Sequence, residues 1–142
     1  RYGEPPDSGM QARKLIDNQP VLVAAPDYLR RHGTPQTPQD LAQHRCLTFF
    51  LRQRPYTRWV FHKNHKDKGA DGREIVVNVK SALCADDGAV VRQWALDGHG
   101  VVLKSRLDVW RDVQAGRLVV LLPDYTTIGK PLYAVWPSPR GG

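Results

Sequence analysis

Ile75-Val76-Val77-Asn78-Val79, followed by Asp86-Asp87-Gly88-Ala89-Val90-Val91-Arg92-Gln93-Trp94-Ala95-Leu96-Asp97-Gly98 and then His99-Gly100-Val101-Val102-Leu103, is the stretch on which the fold turns. Ile75, Val77 and Val79 alternate with polar or second-face positions, the period of a strand. Asp86 and Asp87 stand where helix caps stand, and Val90, Val91, Trp94 and Ala95 recur at helical spacing. Gly98 suits the end of that helix over residues 88–97, and residues 101–103 form a second strand. Strand, helix, strand is a βαβ unit. Such a unit implies a parallel pair with a right-handed crossover, and strand ends that open onto a ligand crevice.

Outward from this unit, short apolar runs alternate with short helices, the pattern of an α/β sheet. Residues 21–24 read as a strand ended by Pro26, residues 27–31 as a short helix stopped by Gly33, and residues 41–44 as another, with Thr37 as cap and Pro38 at the first helical position. Residues 47–51 are the next strand. Residues 59–61 and 75–79 are two strands flanking a polar, basic connection over residues 62–72. Beyond the βαβ unit come a helix at 107–115 closed by Gly116, a strand at 118–122 broken by Pro123, and a last strand at 132–136.

Composition bounds what this α/β chain does. Its 142 residues, 41% hydrophobic, suffice for one modest core. The net charge is +7, and five of those charges lie in residues 52–73, where seven Lys and Arg face two acids. Tyr56, Trp59 and Phe61 interleave with them, which fits either base stacking with phosphate contacts or a solvated hairpin whose aromatics pack inward. The second is expected, because no helix-turn-helix or RNA-binding signature accompanies the charge. Cys46 and Cys84 lack the spacing of a disulfide framework and read as reduced, buried thiols of a cytoplasmic protein. No run is long enough to span a bilayer, and the N-terminus lacks a signal-peptide core. The opening Arg1-Tyr2-Gly3-Glu4, with no initiator Met, reads as a cut from something longer.

Catalytic readings find little support. His62 and His65 have metal-like spacing, but lysines surround them and no ligand set is completed. His44 and Cys46 read as a surface histidine beside a buried thiol, with no third group to orient a base. Ser8, Ser81, Ser105 and Ser138 lie outside any Gly-x-Ser-x-Gly elbow. Gly98-His99-Gly100 ends a helix and starts a strand, so it is no dinucleotide fingerprint. No enzyme, no cofactor and no metal are expected.

Several segments, in order, resemble one family. Arg1-Tyr2-Gly3-Glu4, Pro6-Asp7-Ser8 and Ala12-Arg13-Lys14-Leu15 are followed by Val21-Leu22-Val23-Ala24-Ala25-Pro26-Asp27-Tyr28-Leu29. Next come Gly33-Thr34-Pro35 with Thr37-Pro38-Gln39-Asp40-Leu41, then His44, Cys46 and Leu47, then Asp87-Gly88 and Gly98-His99-Gly100-Val101. Gly116-Arg117-Leu118, Leu122-Pro123-Asp124-Tyr125 and Leu132-Tyr133-Ala134-Val135-Trp136-Pro137-Ser138 complete the series. Together they resemble the regulatory region of LysR-type transcriptional regulators over almost the whole chain. Two departures stand out: Lys104-Ser105 replaces the Leu-Pro usual after the Gly-x-Gly-Ile strand, and the basic segment over residues 54–72 aligns to no motif.

The resemblance implies a two-lobed α/β fold like that of type 2 periplasmic binding proteins. Residues 1–15 would be the first-lobe end and crossover, residues 16–117 the second lobe, and residues 118–142 the return to the first lobe. It implies a small-molecule effector in the inter-lobe cleft, anionic or polar, and DNA binding only through an upstream winged helix-turn-helix that is absent here. A homo-oligomer, dimer or tetramer, with no membrane partner, is expected. The ligand-facing residues expected are Arg1, Ala25, Pro26, Phe50, Leu51, Arg52, Asp86, Asp87 and Gly88, with Arg52 the anion anchor. The rivals are a basic nucleic-acid-binding module and a transport-type solute-binding protein.

Overall fold

In the computed structural model, residues 19–65 and 69–128 are described, residues 65, 69–73 and 128 as backbone alone. Arg1, the segment over residues 1–15 and the strand expected at 132–136 lie outside them. The described order is β1 (Pro20–Ala24), α1 (Pro26–His32), a 3-10 helix (Pro38–Gln43), β2 (Cys46–Leu51), β3 (Arg54–Pro55), β4 (Arg58–His65) and β5 (Gly69–Asn78). Then follow β6 (Ser81–Ala85), α2 (Gly88–Leu96), β7 (Val101–Ser105), α3 (Arg106–Gln114), β8 (Val119–Val120) and β9 (Tyr125–Ile128).

The main sheet runs β2-β7-β1-β8, with β6 and the short β3 also on β2. β2 is parallel to both β6 and β7, whereas β1 is antiparallel to β7 and to β8. A second, antiparallel sheet has the order β5-β4-β9. The strand that feeds the crossover is therefore β6, not the 75–79 strand expected from sequence. Ile75 to Asn78 pair with β4 in the smaller sheet, and β2 sits between β6 and β7. Ser81-Ala82-Leu83-Cys84-Ala85 has no β-branched residue, which concealed it; Ile75, Val76, Val77 and Val79 are rich in them.

Alternation along the main sheet divides the core in two. Val23, Leu47 and Val102 face α2 and α3, where they meet Val91, Ala95, Val109 and Leu118. Leu22, Ala24, Cys46, Val101 and Leu103 face the other way, against Tyr28, Leu41, Trp59, Phe61, Val77 and Val79. Val90, expected on the apolar face of α2, is instead exposed. The basic connection expected at 62–72 largely extends the hairpin, since β4 reaches His65 and β5 starts at Gly69. Polar side chains are compatible with a strand whose outer face meets water. Residues 118–128 are joined to these sheets. β8 pairs with β1, β9 pairs with β4, and Leu118, Leu121 and Leu122 are buried.

Candidate functional site

Strand direction sorts the expected site residues into two places. Pro20 is level with Ser105 and Val23 with Val102, while Phe49 is level with Ala85 on the parallel strand. The C-terminal ends of β2, β6 and β7 therefore share one end of the sheet with the start of β1. Phe50, Leu51, Arg52, Asp86, Asp87 and Gly88 lie at that end. Ala25 and Pro26 lie at the opposite end, about 15 Å away along a five-residue strand. Ala25 is buried as the residue preceding α1, and Pro26 is the first residue of that helix.

At the strand-exit end, Leu51 pairs with Arg54 across a turn made of Arg52 (φ 54°) and Gln53 (φ 69°). Two left-handed residues between two paired strands make a type I′ hairpin, so Arg52, which follows the strand, is an exposed turn residue. Alternation sets Phe49 with Leu47 on the α2 side and turns the exposed Phe50 to the opposite face. Two residues beyond β6, Asp87 caps α2: its carboxylate accepts the Ala89 N–H at 2.8 Å, and its carbonyl accepts those of Val90 and Val91.

Sequence reasoning marked Lys104 as a departure and did not place it in the site. Its Nζ lies 3.3 Å from the Gly88 carbonyl oxygen and 3.3 Å from Asp108, and its side chain is only 13% exposed. The signal was there: one cation closing the apolar run Val101-Val102-Leu103, just before a helix.

This end of the sheet is also where the chain comes in and goes out. Arg106 N–H donates to the Gln19 carbonyl at 3.0 Å, and the Thr127 hydroxyl donates to that of Pro20. The first and last described strands therefore meet beside the strand exits.

The other titratable groups are engaged structurally. Burial pushes the Cys46 thiol up to about 12, which keeps it protonated and poorly nucleophilic. The His44 ring is half-buried, not on the surface as expected, and its Nδ1 lies 2.7 Å from the Tyr28 hydroxyl. Cys84 is free and partly exposed, where a buried thiol was expected. Asp112 is buried and holds Arg92 at 2.8 and 2.9 Å and Arg117 at 3.0 Å. Burial raises its carboxyl, but hydrogen bonds and charge from both guanidiniums outweigh this and hold it below the usual carboxylate range. In the basic hairpin, Trp59 and Phe61 are buried and Tyr56 half-buried, so the aromatics do pack inward. Among the described residues no three His, Cys, Asp or Glu gather to hold a metal, and no helix is long and apolar enough to cross a membrane.

Residues 1–141 match the family described as LysR substrate binding domain. Over 128 residues the chain is 34% identical to the HTH-type transcriptional activator TtdR of Escherichia coli K12, a match covering 90% of this chain and 39% of that protein. Over 127 residues it is 33% identical to the HTH-type transcriptional regulator CrgA of Neisseria meningitidis MC58, covering 89% of this chain and 40% of CrgA. The chain thus spans about two-fifths of the length of these relatives. Among solved structures, the full-length Vibrio cholerae virulence activator AphB superposes with a TM-score of 0.64 at 27% identity, covering 77% of this chain and 34% of AphB. The regulatory domain of Neisseria meningitidis CrgA gives 0.60 at 29% identity, covering 78% and 52%.

Proposed function

This chain belongs to the LysR substrate binding domain family, with its type 2 periplasmic-binding-protein-like fold, and on that premise we propose that it senses a small-molecule effector for a bacterial transcription regulator. The effector lies against the strand-exit end, beside Phe49, Leu51, the Arg52 turn and Asp86–Gly88. One observation carries this placement: the exits of β2, β6 and β7 adjoin the point where Gln19–Pro20 and Thr127 meet. A ligand there touches both this body and whatever the two flanking segments attach to it, and can bias their arrangement if it binds one better than another. Gln19 and Ile128 then mark the lobe boundary.

The protein acts in the cytoplasm, as an oligomer, and does no catalysis; DNA is contacted by a part of the protein outside this chain. The nucleic-acid-module reading is weaker, because buried Trp59 and Phe61 cannot stack on bases. The transport reading is weaker because the relatives named above are transcription regulators.

The test is a thermal-shift screen of the intact regulator against a broad panel of metabolites. At about 100 times its Kd, an effector adds roughly 2.7 kcal/mol of stability, a melting shift of a few degrees. The shift should disappear in Leu51→Asp and persist in a control at the opposite end, Pro26→Ala. A binder equally affected by both, or by neither, contradicts this placement.

A further inference from the structure

Resting on that reading, we propose that Lys104 is the residue that selects the effector's charge, and that the effector is a small organic carboxylate with an apolar body. Lys104 follows Val102 by two positions on β7, so it shares the face that carries α2 and α3. Its ammonium bridges the first residue of α2, through the Gly88 carbonyl, and the first turn of α3, through Asp108. The starts of helices favour negative charge and disfavour a cation. An ammonium that is 13% exposed between two such starts is held by the Gly88 carbonyl and, among the described residues, by one carboxylate, Asp108, which is itself 53% exposed.

That pairing is exchangeable. Asp108 loses little by turning into water, while an incoming carboxylate takes its place on Lys104 beside the first turn of α3; the first turn of α2 is already capped by Asp87. Gly88 adjoins the arrangement: a Cβ there would sit 2.9 Å from the Lys104 ammonium, which the flexible end of that side chain would have to move to accommodate. Half-buried Phe49, Leu83 and Ala85 pack on the same face from the neighbouring strands and supply an apolar wall. Arg52, by contrast, sits on an exposed turn and holds a carboxylate only in competition with water.

The experiment titrates the intact regulator with phenylacetate and hexanoate, each against its primary amide, at about 0.15 M salt. Both acids should bind at least about ten times more tightly than their amides, as a charged hydrogen bond requires. Lys104→Met should weaken the acids about ten- to a hundredfold and leave the amides unchanged. Asp108→Asn, an exposed change that leaves the fold intact, should tighten the acids by removing their internal competitor, an effect a purely structural lysine would not produce. Equal binding of acids and amides, retention of affinity in Lys104→Met, or weaker binding in Asp108→Asn overturns the proposal. If only uncharged or cationic metabolites shift the melting point of the intact regulator, Lys104 is excluded as anchor and the sensing role stands. If no metabolite shifts it, both fall.

Discussion

Between α1 and the start of β2, the His32 ring stacks on Tyr28 with centroids 4.4 Å apart, and the buried Tyr28 hydroxyl joins His44 to the Arg45 backbone. The hydroxyl accepts the Arg45 N–H and donates to His44 Nδ1 when that imidazole is neutral. Desolvation first, and then the neighbouring His32, hold the His44 pKa below the usual histidine value, against a smaller opposing pull from Asp40. Arg31, Arg45 and Cys46 are the other titratable groups facing Tyr28. A histidine whose folded pKa is lowered is better protonated unfolded, so its contribution to stability is present above the unfolded value and lost as pH falls below about 6.5. Urea midpoints should therefore drop between pH 7.5 and 5.5, and His44→Gln should flatten that drop; an unchanged profile in the variant would assign the acid sensitivity elsewhere. Position and partner diverge here in how visible they were. The buried thiol of Cys46 was legible from its place between apolar residues, but the Tyr28–His44 contact spans sixteen positions and left no local mark.

The elements that were legible are those with end signals. Pro26 opens α1, Asp87 caps α2, and Gly98 (φ 83°) closes it, each a local rule read from one or two residues. β6 and the β2–β3 hairpin were missed for the opposite reason. β6 owes its existence to parallel pairing with β2, and the hairpin turns on Arg52-Gln53, neither residue a usual occupant of left-handed conformations. Arg52 does follow the end of that strand as read from sequence, but the turn it makes there was not legible. Such conformations cost about 1–2 kcal/mol each in non-glycine residues. The double change Arg52→Asn with Gln53→Gly, the pair favoured in type I′ turns, should raise the melting temperature by a few degrees. A fall on scanning calorimetry would mean that the two native side chains contribute contacts worth more than the strain.

At the level of the whole molecule, the helical layer is locked by one buried carboxylate. Asp112 on α3 ties Arg92 of α2 to Arg117 beyond α3, so that two helices and the lead into β8 share an ion network. Removing Arg92 leaves the buried charge with one guanidinium. Arg92→Met should cost about 1–3 kcal/mol at neutral pH, read from denaturant midpoints. The depressed folded pKa of Asp112 makes its contribution present above the ordinary carboxylate value and lost as pH falls through the folded one. Wild type and variant should accordingly converge in acid; a constant gap would assign the loss to packing. The α/β class and the sidedness of the core were legible because period-two patterns fix which face a residue takes. The partition between sheets, and the pairing of β8 with β1 and of β9 with β4, depended on long-range contacts that no local pattern encodes. The meeting of Gln19–Pro20 with Thr127 has one more consequence. A body whose two leads emerge at a single corner can be spliced into a surface loop of another protein without stretching host or insert. The described residues thus have the geometry of a transplantable cassette, a unit that gene rearrangement can move whole while the proposed ligand face travels with it.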